Sequence, residues 1–280
     1  MNMKKTFAIG LAAATLATGT AAFASCGDEV GTIYVDTNAF FAPFEYYDGT
    51  EIVGVDIDIM EKVGEKLNKK IVVENTEFGV IIENVSKGQK YDCGAAGITI
   101  TDARKELVDF STPYFTSIQY VVCAKGAMEA DGKDGDVSYV LWDSLAGKTI
   151  GVQTDTTGDI YVDGEIFATA DNDYGYDGVL FGTGTKEVRM DSAQVACDAI
   201  GSSVDVVVID KLPAEYIVNK SSKLECFALY YDAETATKEE YAICVTKGNT
   251  ELLNAINEVL AELGKSGIDA LVSKHLGLNG

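Results

Sequence analysis

AGITITDARKELVDFSTPY, the stretch from Ala96 to Tyr114, is the part of the sequence that decides the fold. It follows a short apolar run, and Thr101 is a helix-capping residue type, so the pattern predicts a strand, a loop and a helix that begins near Thr101. Arg104 then lies in the first helical turn, and the small residues Gly97 and Thr99 leave backbone groups accessible. This combination of a cation, hydroxyl groups and free amides indicates a site for a small anion, although one arginine in a first turn is more often simply solvated.

The same stretch resembles the signature of the extracellular solute-binding proteins that deliver polar amino acids to ABC importers, such as the glutamine- and histidine-binding proteins. The segments AGITITDAR and DFSTPY carry the resemblance most specifically, and matching elements follow in order through nearly the whole chain. The resemblance implies a two-lobed α/β fold, the type II periplasmic-binding-protein-like fold, with two doubly wound sheets joined by a two-strand hinge. The implied organisation is a signal peptide at 1–25, a first lobe at 26–117 plus 241–280, and a second lobe at 118–240.

A ligand site between the lobes, at the carboxyl ends of the strands, is also implied by the resemblance. In this family Arg104 would hold the carboxylate of a free L-amino acid, and Asp210 would hold its ammonium group. Hydroxyl and backbone groups of Thr99, Gly97 and Thr157 would complete these contacts. The residues expected around the ligand side chain are two aromatic and two amide residues: Phe41, Phe78, Asn38 and Gln153.

Two residues depart from the family pattern. Asn38 stands where many members have Asp, so its contact with the ligand would be uncharged, and we expect a neutral ligand side chain. Asp155 stands where the family commonly has Gly, which alters the turn before Thr157 and adds a negative charge near the ligand carboxylate. The residues alone leave two alternatives open, because the turn also fits a plain helix cap and Asp210 also fits a local pair with Lys211.

Composition limits the function classes further. The chain of 280 residues has a formal net charge of −22, which repels nucleic acid, so no nucleic-acid partner is expected. The single histidine, His275, has no partner at metal-ligand spacing, and we expect neither a metal nor a cofactor. The acidic segment 163–184 lacks the spacing of a calcium loop and is predicted to be a surface insertion. The cysteines after Cys26 are odd in number and are predicted to be buried free thiols: Cys93, Cys123, Cys197, Cys226 and Cys244.

The N-terminal segment predicts export. Lys4 and Lys5 precede an apolar run that is typical of a secretory signal. The signal would end either after Ala24 or at a lipobox-like Phe23-Ala24-Ser25-Cys26, and we favour lipidation of Cys26. We therefore expect an exported monomer, either a cell-surface lipoprotein or a periplasmic protein, that binds ABC permease subunits.

Two other function classes stay open at this point. Cyclohexadienyl dehydratases use a related scaffold, but no acid is positioned for that chemistry. A sensor input domain for amino acids is the third class. Among local features, the sequence predicts a helix over Met190–Ile200, a polar loop over 126–138, two final helices at Thr250–Leu263 and Ile268–Lys274, and Asp56 and Asp58 as simple first-turn acids.

Overall fold

The computed structural model describes residues 31–172 and 174–277. The predicted signal peptide at 1–25 and the predicted lipidation site Cys26 therefore lie outside the described residues. Within the described ranges, no helix has both the length and the apolar character that crossing a membrane would require.

The described residues form seventeen strands and seven α-helices, which alternate through much of the chain. In chain order the strands are β1 (Thr32–Thr37), β2 (Phe40–Phe41), β3 (Glu45–Asp48), β4 (Glu51–Val53), β5 (Lys70–Asn75), β6 (Cys93–Gly94), β7 (Val108–Phe110), β8 (Phe115–Ala124), β9 (Gly132–Asp134), β10 (Val137–Leu141), β11 (Thr149–Gln153), β12 (Lys186–Met190), β13 (Val206–Asp210), β14 (Leu224–Asp232), β15 (Thr235–Ala236), β16 (Lys238–Tyr241) and β17 (Cys244–Thr246). The helices are α1 (Val55–Leu67), α2 (Ile81–Lys87), α3 (Asp102–Lys105), α4 (Thr157–Phe167), α5 (Ala193–Asp198), α6 (Lys211–Asn219) and α7 (Thr250–His275), with short 3-10 helices at Phe78–Val80 and Trp142–Leu145.

The first sheet has the strand order β5-β1-β6-β17-β7. Strand β1 runs parallel to β5 and β6, whereas β17 runs antiparallel to β6 and β7. Buried side chains of α1 and α7, among them Ile59, Val63 and Ile256, belong to the apolar core that includes Val35 of this sheet. The sequence folds in this way because these helices carry apolar residues at helical spacing and must bury them.

The second sheet is larger, with the order β12-β11-β13-β8-β14-β10-β9, while β15 pairs with β14 and β16 pairs with β8. Strand β11 is parallel to β12 and β13, and β8 is antiparallel to β13 and β14. One of its apolar clusters contains Val121, Trp142, Leu145 and Ile150. The apolar runs in β8 and β13 are continuous because these strands are buried on both faces.

Two paired strands connect the lobes. The first four residues of β8, Phe115 to Ile118, pair with β16 in antiparallel register, and the rest of β8 belongs to the second sheet. The chain leaves β16 at Tyr241 and enters β17 of the first sheet. The fold is thus a two-lobed α/β fold with two main sheets and a small third sheet of β2, β3 and β4, and the predicted fold class is confirmed.

Some local predictions were wrong. Met190 ends strand β12, and α5 begins only at Ala193, because the Ser192 hydroxyl caps that helix by accepting a hydrogen bond from Val195 N at 3.2 Å. The predicted loop 126–138 contains β9 and the start of β10, since β10 pairs with β14 despite the polar composition of this segment. The prediction of two final helices is confirmed, because the non-helical Gly264 (φ 55°) divides α7 into two helical segments.

Candidate functional site

The strand ends bring the predicted site residues together. Asn38 follows β1, Gly97 follows β6, and Gln153 and Asp210 are the last residues of β11 and β13. These strands run parallel to a neighbour in their own sheets, so their carboxyl ends lie at the edge where ligands bind in open α/β sheets.

One cavity, called here the cleft cavity, lies between the lobes. Eight of the nine predicted ligand residues line it, all except Arg104, and Ala96 and Thr156 complete its lining. The space outside atoms within it, open solvent included, is about 290 Å³. Residues of both lobes therefore line this cavity.

Arg104 lies beside the cleft cavity rather than in its lining. Its Nη1 donates to the Thr99 carbonyl at 2.8 Å, and its Nη2 donates to the Asp155 carbonyl of the second lobe at 3.0 Å. The guanidinium carbon is 5.4 Å from the centre of the Phe78 ring. Burial lowers the pKa of Arg104. The side chain also borders a more open pocket, with about 1040 Å³ of space outside atoms by the same measure, that Asp155 and Phe78 line.

The turn before α4 places Asp155 in an unusual backbone conformation. Asp155 has φ 62°, in the left-handed region, and its amide donates to Asp159 Oδ2 at 2.7 Å. The Thr156 hydroxyl caps α4 by accepting a hydrogen bond from Asp159 N. Aspartate tolerates the left-handed conformation better than most residues, so Asp155 can occupy this turn.

Asp210 is buried at the end of β13, where it accepts a hydrogen bond from the Tyr241 hydroxyl at 2.5 Å. The alternative partner Lys211 is instead 4.0 Å from Glu215. Glu239 is a neighbour of Asp210, and the pKa of Glu239 lies well above its ordinary value because of burial and the neighbouring Asp210. A carboxyl group that lines the cavity therefore has a second, buried carboxyl group as its neighbour.

Side-chain hydrogen bonds cross the cleft cavity. Thr157 Oγ1 donates to Thr99 Oγ1 at 2.7 Å, and Thr99 Oγ1 donates to Glu239 Oε2 at 2.6 Å. Gln153 Nε2 donates to Asn38 Oδ1 at 2.9 Å. Both threonines and both amides named as ligand residues therefore contact each other directly across the two lobes.

The loop that carries Gly97 is fixed by Asp56. Gly97 has φ 54°, its amide donates to Asp56 Oδ2 at 2.9 Å, and the Tyr114 hydroxyl donates to Asp56 Oδ1 at 2.5 Å. Burial raises the pKa of Asp56 to about 6, although these two hydrogen bonds oppose the shift. The prediction of Asp56 as a simple first-turn acid was therefore incomplete, because Asp56 also holds the loop at the cavity.

Sequence reasoning missed the residues behind the cavity. Glu239, Tyr241 and Gln119 are buried: Glu239 accepts hydrogen bonds from Thr99 and Gln119, and the Tyr241 hydroxyl donates to Asp210. In β16, Glu239 and Tyr241 are buried whereas Lys238 and Glu240 are exposed, but the sequence KEEY has no alternation of polar and apolar residues that would have marked Glu239 as buried.

Metal or redox chemistry would require clustered ligands or paired cysteines. In the part of the chain that the structure describes, no group of three or more metal-ligating side chains is present. The five cysteines within it are free, four of them buried. His275 lies 3.0 Å from Asp58 Oδ2 through its Nε2 and 3.1 Å from the Tyr46 hydroxyl through its Nδ1.

Comparisons with known proteins agree with this architecture. The family profile described as "Bacterial extracellular solute-binding proteins, family 3" matches residues 33–278. The "Probable histidine-binding protein" of Neisseria gonorrhoeae is 28% identical over 295 residues, covering 100% of this chain and 98% of that protein. The "L-cystine-binding protein TcyJ" of Escherichia coli (strain K12) is 25% identical over 252 residues, covering 89% and 84%. The solved structure of holo ArgBP from T. maritima is 33% identical, with a TM-score of 0.67, covering 87% of this chain and 95% of that chain.

Proposed function

Because the chain belongs to the bacterial extracellular solute-binding proteins of family 3, we propose that it binds a free L-amino acid between its lobes and delivers it to an ABC-type permease. Relatives named for binding histidine and cystine support an amino acid as the ligand class. The observation that supports the proposal most is the convergence of residues from both lobes on the cleft cavity.

The two charged ends of the ligand would be held by opposite charges. Arg104 would turn its guanidinium from the carbonyls of Thr99 and Asp155 to the ligand carboxylate, aided by the amide of Thr157 at the start of α4. Asp210 would accept the ammonium group together with the Thr99 hydroxyl and the Gly97 carbonyl. These contacts recognise the zwitterion, whatever its side chain.

The ligand side chain would lie among the remaining residues of the cavity lining. Phe41 and Phe78 supply apolar surface, and the amides of Asn38 and Gln153 supply uncharged polar contacts. The hydrogen bond between these two amides joins the two lobes, so a ligand that replaces it would contact both lobes.

Ligand binding would then stabilise the closed arrangement of the lobes. Arg104 belongs to the first lobe, whereas Asp210 and Thr157 belong to the second, so a zwitterion makes all its contacts only when the lobes are closed. We propose residues 26–117 plus 241–280 for the first lobe and 118–240 for the second, with β8 and β16 as the hinge. A micromolar ligand would supply about 8 kcal/mol, part of which is used for closure.

The proposal is tested by a thermal-shift screen against the standard L-amino acids, followed by calorimetric titration of the ligand that raises the melting temperature most. Arg104→Ala and Asp210→Asn should each weaken binding by roughly 2–5 kcal/mol, because each leaves a charged end of the ligand without a partner. Lys105→Ala, on the same helix as Arg104, and Lys211→Ala, next to Asp210, are matched controls that should bind normally. Near-normal affinity of the Arg104 variant would reject the carboxylate contact.

The remaining assignments concern localisation, anchoring and the absence of catalysis. The protein is exported, and we propose that lipidation of Cys26 attaches a monomer to the cell surface, where the permease is its partner. Replacement of Cys26 by Ser should then release the protein from membranes, and unchanged membrane association would contradict lipidation. We also propose that the protein is not an enzyme, so incubation with prephenate or arogenate should leave both unchanged.

A further inference from the structure

Glu239 lies directly behind the two side chains that are proposed to hold the ligand ammonium group. It is buried on β16 and does not belong to the cavity lining. Thr99 Oγ1 donates to its Oε2 at 2.6 Å, and Asp210 is its carboxyl neighbour. On its other oxygen, Oε1, it accepts a hydrogen bond from Gln119 Nε2 at 2.6 Å.

These contacts determine how Thr99 presents its hydroxyl to the cavity. A hydroxyl group has one hydrogen and two lone pairs. The hydrogen of Thr99 points to Glu239, and one lone pair accepts the hydrogen bond from Thr157. The second lone pair is therefore available to an ammonium donor. With an apolar residue in place of Glu239, the Thr99 hydrogen would turn elsewhere and compete with the ligand.

The same contacts determine where a proton resides. Two neighbouring buried carboxyl groups cannot both be ionised without a large electrostatic cost. Burial and the neighbouring Asp210 raise the pKa of Glu239 well above its ordinary value, so the proton belongs on Glu239, and the Tyr241 hydroxyl donates to Asp210. Among the described residues, the titratable groups that face the pair include one cation, whose guanidinium is hydrogen-bonded to backbone carbonyls. These groups are Arg104 on α3, Tyr161 on α4, Tyr231 on β14 and Tyr241 on β16, with Glu45 on β3 facing Asp210.

We propose that Glu239 is a positioning residue of the ammonium site: it holds a proton that it donates to the Asp210 carboxylate, and it fixes the Thr99 hydroxyl as an acceptor for the ligand. This inference rests on the proposed function. One carboxylate then matches one ammonium group, so binding of a zwitterion releases no proton. Glu239 acts on the ligand through Thr99 and Asp210 and touches it nowhere.

Two substitutions distinguish this positioning role from two alternatives, in which Glu239 acts as an ionised carboxylate or only packs in the core. Gln has the shape of the protonated acid, can donate to Asp210 and can accept from Thr99. Gln119, whose Oε1 has no hydrogen-bond partner, can turn its amide to match. Glu239→Leu should weaken calorimetric affinity for the amino acid found by the screen by about 10- to 100-fold. Glu239→Gln should restore the affinity to within about threefold of the wild-type value.

Two further readouts would not respond to a purely structural role. Titration of the wild-type protein near neutral pH in buffers of different ionisation enthalpy should show no net proton exchange. Thr99→Val should weaken binding, and adding it to Glu239→Leu should give little further loss, since both changes remove the same acceptor. If Glu239→Leu fails to fold, the inference is tested by the affinity of Glu239→Gln and by the number of protons that the wild-type protein exchanges on ligand binding.

Several outcomes overturn the inference. Equal losses in the Gln and Leu variants would mean that Glu239 acts as a carboxylate, and an unchanged Leu variant would mean that it positions nothing. Release of about one proton per bound ligand would mean that Glu239 does not keep its proton in the complex. A wild-type protein that binds no amino acid would instead refute the proposed function, so the two failures are distinguishable.

Discussion

Replacing Gly97 with Ala should destabilise the protein and weaken ligand binding together. Gly97 has φ 54°, in the left-handed region, and a Cβ atom added there would lie 2.8 Å from Cε1 of Phe41. Both the Gly97 backbone and the Phe41 ring line the cleft cavity. Any shift that relieves the contact therefore moves a wall of the ligand site.

The magnitude follows from two separate terms. The left-handed conformation costs a residue with a Cβ atom about 1–2 kcal/mol. Crowding against a packed ring costs about a further 1–3 kcal/mol. We expect a loss of about 2–5 kcal/mol in the free energy of unfolding from urea denaturation, and a fall in melting temperature of roughly 4–20 °C for a chain of this size. Calorimetric titration should show weaker binding in the same variant.

Gly126 provides the matched control. Its φ is 78°, and nothing lies within 4 Å of the position of an added Cβ atom. Gly126→Ala should therefore lose only about 1–2 kcal/mol of stability and bind ligand normally. Equal losses in the two variants would show that the contact with Phe41 has no energetic cost. A Gly97→Ala variant within about 0.5 kcal/mol of the wild-type stability would refute the whole reasoning.

Three further predictions concern stability. Burial raises the pKa of Asp56 from 3.8 to about 6, so the folded protein holds this proton more tightly than the unfolded chain does, and stability falls by about 3 kcal/mol as the pH rises through that window. Asp56→Asn removes this pH dependence. Urea denaturation at several pH values should therefore show that the difference in free energy of unfolding between variant and wild type changes by about 3 kcal/mol over this window; a constant difference would contradict the prediction. Arg189→Met should lose about 2 kcal/mol by urea denaturation, because it leaves the buried Asp159 without the partner found at 2.8 Å, and a loss below about 0.5 kcal/mol would argue against that pair. Ser192→Ala should lose about 1 kcal/mol through the α5 cap, with ligand affinity unchanged by calorimetry; altered affinity would mean that the cap also shapes the site.

Much of the fold could be predicted because the apolar strands and helical spacing are local properties of the chain. The order of elements around β1, α1 and β6 and the return of the chain into the first sheet follow from those patterns. Local patterns failed at Met190, where pairing of β12 with β11 overrides the helical spacing of the segment. Composition likewise did not reveal β10, whose pairing with β14 depends on residues far away in sequence.

The candidate site could be predicted in part. Residues at strand ends, such as Asp210 and Gln153, follow from the topology, and the motif with Thr99 and Arg104 follows from the resemblance. The position of the Arg104 guanidinium, bonded to a carbonyl of each lobe, could not be read from the sequence, because it depends on how the lobes meet. Glu239 was missed for the same reason, since only the pairing of β16 with β8 turns it inward.

Recognition of a zwitterion by opposite charges on two lobes is the central claim, and one calorimetric comparison tests it most directly. The wild-type protein is titrated with the amino acid found by the screen, with the amine that lacks its α-carboxyl group, and with its N-acetyl derivative, which lacks the ammonium charge. We predict that each derivative binds at least about 100-fold more weakly than the parent amino acid. Binding of either derivative within about threefold of the parent would contradict the claim.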